Sequence, residues 1–266
     1  MRRSLFRVLA FASVAVLPVS VRAQIVVLSN TVEERIAAPG ERYTSTIIIV
    51  NPSTEPQTAR IYQTDYQFAA DGTGQFNDPG TTLRSNAGWV TPQTTQIVVP
   101  ANGRVAVPYT VVVPKTDSLK GTYWSAIMVE GQTAQPGKSG AKPTVELGSV
   151  MRYAIQVATH IQMSGTRAVK FVDPGVVKTT DGTATFDVDV LDNGDRGYRP
   201  TLWVEIYDAN GVLQAKAKQT RGLLYPGSSI RQHFVLGKLT PGTYKAMLFA
   251  DTGDEAVIAA QYDVKY

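Results

Sequence analysis

The sequence predicts an all-β protein, two tandem immunoglobulin-like β-sandwiches behind a cleaved signal peptide. Three observations predict it. Apolar residues alternate at period two, and no i, i+3, i+4, i+7 run of any length occurs. Gly, Pro, Asn and Asp turns interrupt the alternation at short intervals, as between half-buried strands. One motif is also written twice, "GTYWSAIMVEG" from Gly121 and "GTYKAMLFADTG" from Gly242, each after a Leu and a stretch of alternating residues. Such internal similarity marks one structural unit used twice.

The first segment, "MRRSLFRVLAFASVAVLPVSVRAQ", has an Arg-rich start, a short apolar stretch and "V-R-A" before Gln24. This is the pattern of a secretory signal, residues 1–23, cleaved after Ala23. Arg7 and Pro18 interrupt the apolar stretch, whereas a membrane span needs about 20 apolar residues. No later segment approaches transmembrane length, so the mature chain is expected to be exported, to a periplasm or a cell surface.

The remaining 243 residues suit two cores, assigned to 24–165 and 166–266. In the first unit the strands read "QIVVLS", "YTSTIIIVN", "TARIYQTDYQF", "TQIVVP", "RVAVPYTVVV", "TYWSAIMVE" and "LGSVMRYAIQVATHIQM". In the second they read "AVKFVDP", "TATFDVDVLD", "TLWVEIYD", "LQAKAKQTRG", "SIRQHFVLG", "TYKAMLFAD" and "VIAAQYDVKY". About seven short strands per hundred residues is the sandwich pattern. Ile47, Ile49, Val188, Val190, Val204 and Leu248 are expected to face inward. Asn210-Gly211 is the strongest hairpin signal. Tyr123 and Tyr244, each just after a Gly, suit tyrosine corners, in which the phenol bonds back to upstream backbone. The stretch 131–144, "GQTAQPGKSGAKPT", reads as a long mobile loop carrying Lys138 and Lys142.

Charge and composition exclude several functions. The chain has 26 basic and 22 acidic residues, but Arg2, Arg3, Arg7 and Arg22 belong to the signal, which leaves 22 against 22. Nucleic-acid binding needs a basic surplus, so no nucleic-acid partner is expected. The absence of Cys leaves stability to apolar cores and removes cysteine nucleophiles. His160 and His233, the only histidines, sit in strand-like runs without local partners and read as solvent-side residues. Neither a zinc site nor a Ser-His-Asp triad is supplied. Asp187, Asp189, Asp192 and Asp195 form the best metal candidate, for calcium, but their spacing departs from the helix-flanked loop. A solvated strand face ending in a turn explains them equally. No catalytic residue, cofactor or metal is assigned, and the chain is expected not to be an enzyme.

On these residues the chain resembles two exported families. The first unit, with "STIIIVNPSTEPQTARIYQTDYQF", "IVVPANGRVAVPYTVVVP" and "GTYWSAIMVEG", resembles the amino-terminal domain of WxL-interacting surface proteins and the first domain of periplasmic pilus chaperones. The second unit, with "VLDNGDRGYRPTLWVEIYDANGVL", is closer to the second domain of the WxL-interacting proteins. Both resemblances imply a non-enzymatic protein that binds another macromolecule. The first implies a protein or cell-wall partner. The second implies β-strand donation to an unfinished subunit.

Each pattern has a departure. WxL-interacting proteins normally carry a carboxy-terminal membrane span, and none is expected here after "QYDVKY". In the candidate donor strand Met151, Tyr153, Ile155, Val157, Ile161 and Met163 share one face, while Arg152, Ala154, Gln156, Ala158, His160 and Gln162 share the other. A single apolar face serves the protein's own core and leaves none for a client. The expected function is therefore an exported adaptor binding through exposed loops, Lys138 and Lys142 first. A divergent pilus assembly chaperone, using Arg152, Ile155 and Val157, is the alternative.

Overall fold

The computed structural model describes residues 25–132 and 150–266. The predicted signal peptide lies outside them, as do Lys138 and Lys142 with most of their loop. The chain is all-β, a pair of sandwiches. In the first, one sheet runs β1 (Val26–Val27), β3 (Arg42–Val50), β8 (Arg104–Val112) and β6 (Val90–Pro92). The facing sheet runs β2 (Val32–Ala37), β10 (Arg152–Ile161), β9 (Gly121–Gln132), β4 (Gln57–Phe68) and β5 (Gly74–Asn77), with β7 (Gln96–Val99) also on β4. The first strand is thus split. Val26 and Val27 pair antiparallel with Val50 and Ile49 of one sheet, then the chain crosses over and β2 pairs parallel with β10 of the other.

In the second sandwich β11 (Val169–Lys178), β12 (Ala184–Asp192) and β15 (Ser229–Gly237) face β14 (Leu213–Thr220), β13 (Thr201–Tyr207), β16 (Thr243–Asp251) and β17 (Ile258–Lys265). Alternation is strict here. Phe186, Val188 and Val190 of β12, and Leu202, Val204 and Ile206 of β13, are buried while their neighbours are not. Ile47, Ile49, Val188, Val190, Val204 and Leu248 all lie in the two cores, as their period-two placement requires.

The turns have physical causes. At Asn210-Gly211 only Gly211 takes positive φ, 78°, and the register shifts between Ile206 and Tyr207. The hairpin therefore closes on a glycine bulge rather than a two-residue mirror-image turn. Asn51 of "N-P-S" is buried, and its amide donates to the carbonyls of Glu55 at 2.7 Å and Val99 at 3.1 Å. The motif thus holds a turn closed from inside the sandwich.

The phenol of Tyr244 donates to the Thr240 carbonyl at 2.6 Å, the geometry of a tyrosine corner. Tyr244→Phe should lower stability by about 0.5–1.5 kcal/mol in urea unfolding. An unchanged midpoint would show that water replaces the bond at no cost. Tyr123 is placed differently. Its ring packs on Trp89 at 4.7 Å with the Arg84 guanidinium 5.3 Å away.

Candidate functional site

Strand β10 carries the site because its two edges are unequal. All ten of its residues pair antiparallel with β9, from Arg152 opposite Glu130 to Ile161 opposite Gly121. On its other edge the parallel ladder with β2 begins only at Gln156, whose amide donates to the Thr31 carbonyl at 2.8 Å. No described strand covers residues 152–155 on that side. Amides point alternately to the two edges of a strand, so those of Arg152 and Ala154 share the Gln156 side and face the open edge. An edge of this kind is a template for another strand.

The side chains of β10 are spoken for. Ile155 and Val157 are buried in the core of the first sandwich. The Arg152 side chain is exposed and ion-paired to Glu130 at 2.8 Å, and Glu130 also accepts from the Tyr62 phenol. What β10 leaves open at residues 152–155 is its backbone, a signal that side-chain patterning does not carry.

The outward face of β10 and β9 meets the second sandwich. Trp124 and Tyr225 stack at 4.6 Å and 9°, with Ala158 and Leu223 packed around them. The Tyr225 phenol donates to the Gln156 side chain at 2.7 Å, and burial drives its ionisation far up. Phe68 meets Tyr225 edge-on at 6.1 Å, and the Trp124 indole donates to the Tyr66 carbonyl.

A polar strap closes the same junction. His160 is buried and does not face solvent as its strand pattern suggests, because the second sandwich covers that face of β10. Its Nδ1 lies 2.7 Å from the Thr122 hydroxyl and its Nε2 3.3 Å from Glu34. Thr122 Oγ1 also accepts the Gly197 amide at 2.9 Å, and Arg199 grips Glu34 through Nε at 3.0 Å. The His160 hydrogen bond, against the pull of burial and with help from Arg199, holds the Glu34 carboxyl below its ordinary range.

Beside the strap, backbone meets backbone. Gly121 adopts φ 74°, and a Cβ there would stand 1.8 Å from the Asp195 carbonyl oxygen, which accepts the Thr122 amide at 2.9 Å. The Asp195 carboxylate takes Lys120 at 3.1 Å and Arg84 at 3.7 Å. Burial would raise its pKa, but the Thr166 amide and these cations hold it below the usual range.

The four aspartates do not converge. Asp187 lies 2.9 Å from His233 Nδ1, and Asp189 makes a bidentate pair with Arg231 at 2.7 and 2.8 Å. Asp192 is fully buried and accepts the Gly194 amide through one oxygen, while the other oxygen has no partner. Burial pushes its pKa up to about 7. Among the described residues no group of three or more His, Cys, Asp or Glu is placed to hold a metal ion. An interdomain cleft of about 540 Å³, lined by Asp71, Arg221, Arg231 and His233, has mixed charge, and Asp189 already engages Arg231. Among the described residues no helix is long and apolar enough to cross a membrane.

No protein-family model matches the chain, and no curated protein matches it. Solved structures do. The chain is similar to the class 5 fimbriae chaperone CfaA, at 11% identity over 89% of this chain and 98% of that one, with a TM-score of 0.47. It is similar to a chain of the CsuC–CsuE chaperone–tip adhesion subunit pre-assembly complex of Acinetobacter baumannii, at 10% identity over 91% and 98%, with a TM-score of 0.45. It is also similar to the CupB2 chaperone of Pseudomonas aeruginosa, at 12% identity over 90% and 98%, with a TM-score of 0.41.

Proposed function

We propose that this chain is an exported, non-enzymatic assembly chaperone that holds a partner protein by strand addition along β10. The observation that carries the reading is the open backbone edge at residues 152–155, on a strand fixed by β9 along one side and by β2 farther along the other. A partner strand gains main-chain hydrogen bonds there without disturbing Ile155 or Val157 in the core. The sequence pattern leaves no apolar face for a client, but an interaction made through backbone does not need one. The adaptor reading draws its support from the 131–144 loop, of which only Gly131 and Gln132 are described.

Ala154→Pro tests this reading. It removes one amide from the open edge and leaves the β9 ladder intact, since proline is tolerated where the N–H would face outward. Binding of a fluorescein-labelled nine-residue peptide of alternating valine and threonine, with lysines at its ends, should weaken about tenfold, one hydrogen bond's worth. The melting temperature should stay put. Equal binding by a folded Ala154→Pro protein would refute strand addition at this edge.

A further inference from the structure

The outward face of the larger sheet in the first sandwich carries a row of charges that ends at the open edge. Arg60 of β4 lies directly across from Glu130 of β9, and Glu130 lies directly across from Arg152 of β10. The row reads Arg60, Glu130, Arg152, one carboxylate between two cations. Glu130 Oε2 takes Arg152 Nε at 2.8 Å and also accepts the Tyr62 phenol at 2.9 Å. The exposed Arg60 guanidinium lies over the Tyr62 ring, 4.6 Å from its centre. The carboxylate side chain is only 18% exposed, whereas that of Arg152 remains 60% exposed. Arg152 stands between Glu130 and the open edge, so the next place in the row belongs to whatever strand is added there.

Farther along, the same edge of β10 already holds a strand of the chain's own. There β2 sets Val32 across from Gln156 and Glu34 across from Ala158. Both side chains lie on the outward face. Val32 packs with Trp124 and Tyr225, and Glu34 is met by His160 and Arg199. An outward acid answered by a base is thus part of how β10 holds the strand it has.

We infer that the partner strand carries an acidic residue on its outward face, across from Arg152, and that Arg152 selects it. This rests on the strand-addition reading. Side chains directly opposed on adjacent strands stand about 5 Å apart at Cβ, within reach of an arginine–carboxylate pair. An acid in that place continues the alternation of the row and balances its surplus cation. A lysine there would meet like charge, which opposes pairing. The neighbouring row, Ala154, Met128 and Tyr62, has no charged member. Selection for charge therefore falls on one position of the partner, and the inward side chains of the added strand take no part in it.

Charge variants of the valine–threonine peptide test the assignment. With its valines inward, the central threonine faces outward, and the peptide can slide in two-residue steps to set that position across from Arg152. Glutamate in place of the central threonine should tighten binding about threefold, and lysine there should weaken it about threefold. The preference should shrink in 1 M salt, because exposed charges are screened. Folded Arg152→Gln protein should bind all three peptides alike, and folded Arg152→Glu should reverse their order. Equal binding of the three by the parent protein overturns the assignment, as does a glutamate preference that survives in Arg152→Gln. If Ala154→Pro weakens all three peptides in that case, strand addition stands and only the role of Arg152 falls. If Ala154→Pro binds all three normally, both fall together.

Discussion

Replacing Gly121 by alanine should cost about 3–5 kcal/mol and loosen one sandwich from the other. Two effects add. A non-glycine residue in the left-handed region costs about 1–2 kcal/mol. Steric conflict costs more. A methyl group 1.8 Å from the Asp195 carbonyl oxygen cannot be accommodated, and the obstacle is backbone that no rotamer change moves aside. Retreat of that backbone would break the bond from the Thr122 amide and draw Asp195 away from Lys120 and Arg84. Gly72 supplies the control, since its φ is 85° but nothing lies within 4 Å of its would-be Cβ. Gly72→Ala should therefore show the conformational cost alone, about 1 kcal/mol. Guanidinium unfolding followed through the Trp124–Tyr225 contact should separate the two variants. Equal losses would mean that the junction yields without cost.

Asp192→Asn should stabilise the protein at pH 8 by about 2–4 kcal/mol. The folded-state pKa of Asp192 is raised, from an ordinary 3.8 to about 7, by burial. A raised pKa means that the folded state holds the proton more tightly. Its stabilising contribution is complete below the ordinary pKa and is lost as pH climbs towards 7. Above pH 7 the parent carries an ionised carboxylate with one oxygen unpartnered, whereas asparagine stays neutral and still accepts the Gly194 amide. The advantage of the variant should shrink steadily from pH 8 to pH 4. A difference independent of pH would show that Asp192 does not change ionisation on folding.

Legibility in the sequence followed burial. All seven strands read in the second unit are present, because each has a core face and a water face and so writes its own alternation. The strands missed in the first unit are β2, β5 and β6. The segment "VEERIA" of β2 is charged through its middle, since an edge strand pairs by backbone while its side chains reach solvent or the neighbouring domain. Gly121 was legible as a bend before a strand. Its second role, letting the other domain's backbone approach, depends on Asp195, and no local pattern encodes that distance. His160 misled for the same reason. The period-two rule assigns it correctly to the outer face of β10 but cannot say that a second sandwich covers that face. The open edge was invisible altogether, because it is a property of hydrogen bonds that the described strands do not make.

The split first strand also governs the order in which the protein can become itself. β2 is among the earliest segments of the described chain, yet the described strand it pairs with, β10, lies roughly 120 residues farther along. Contacts of such sequence separation close large loops and slow the search for the native state. Until Ile161 has emerged, the first sandwich has neither its parallel pair nor a floor for Trp124 and Tyr225 to stack upon. The sheet that carries the open edge is thus the last piece of the domain to be finished, and that edge does not exist before the domain has completed its own fold.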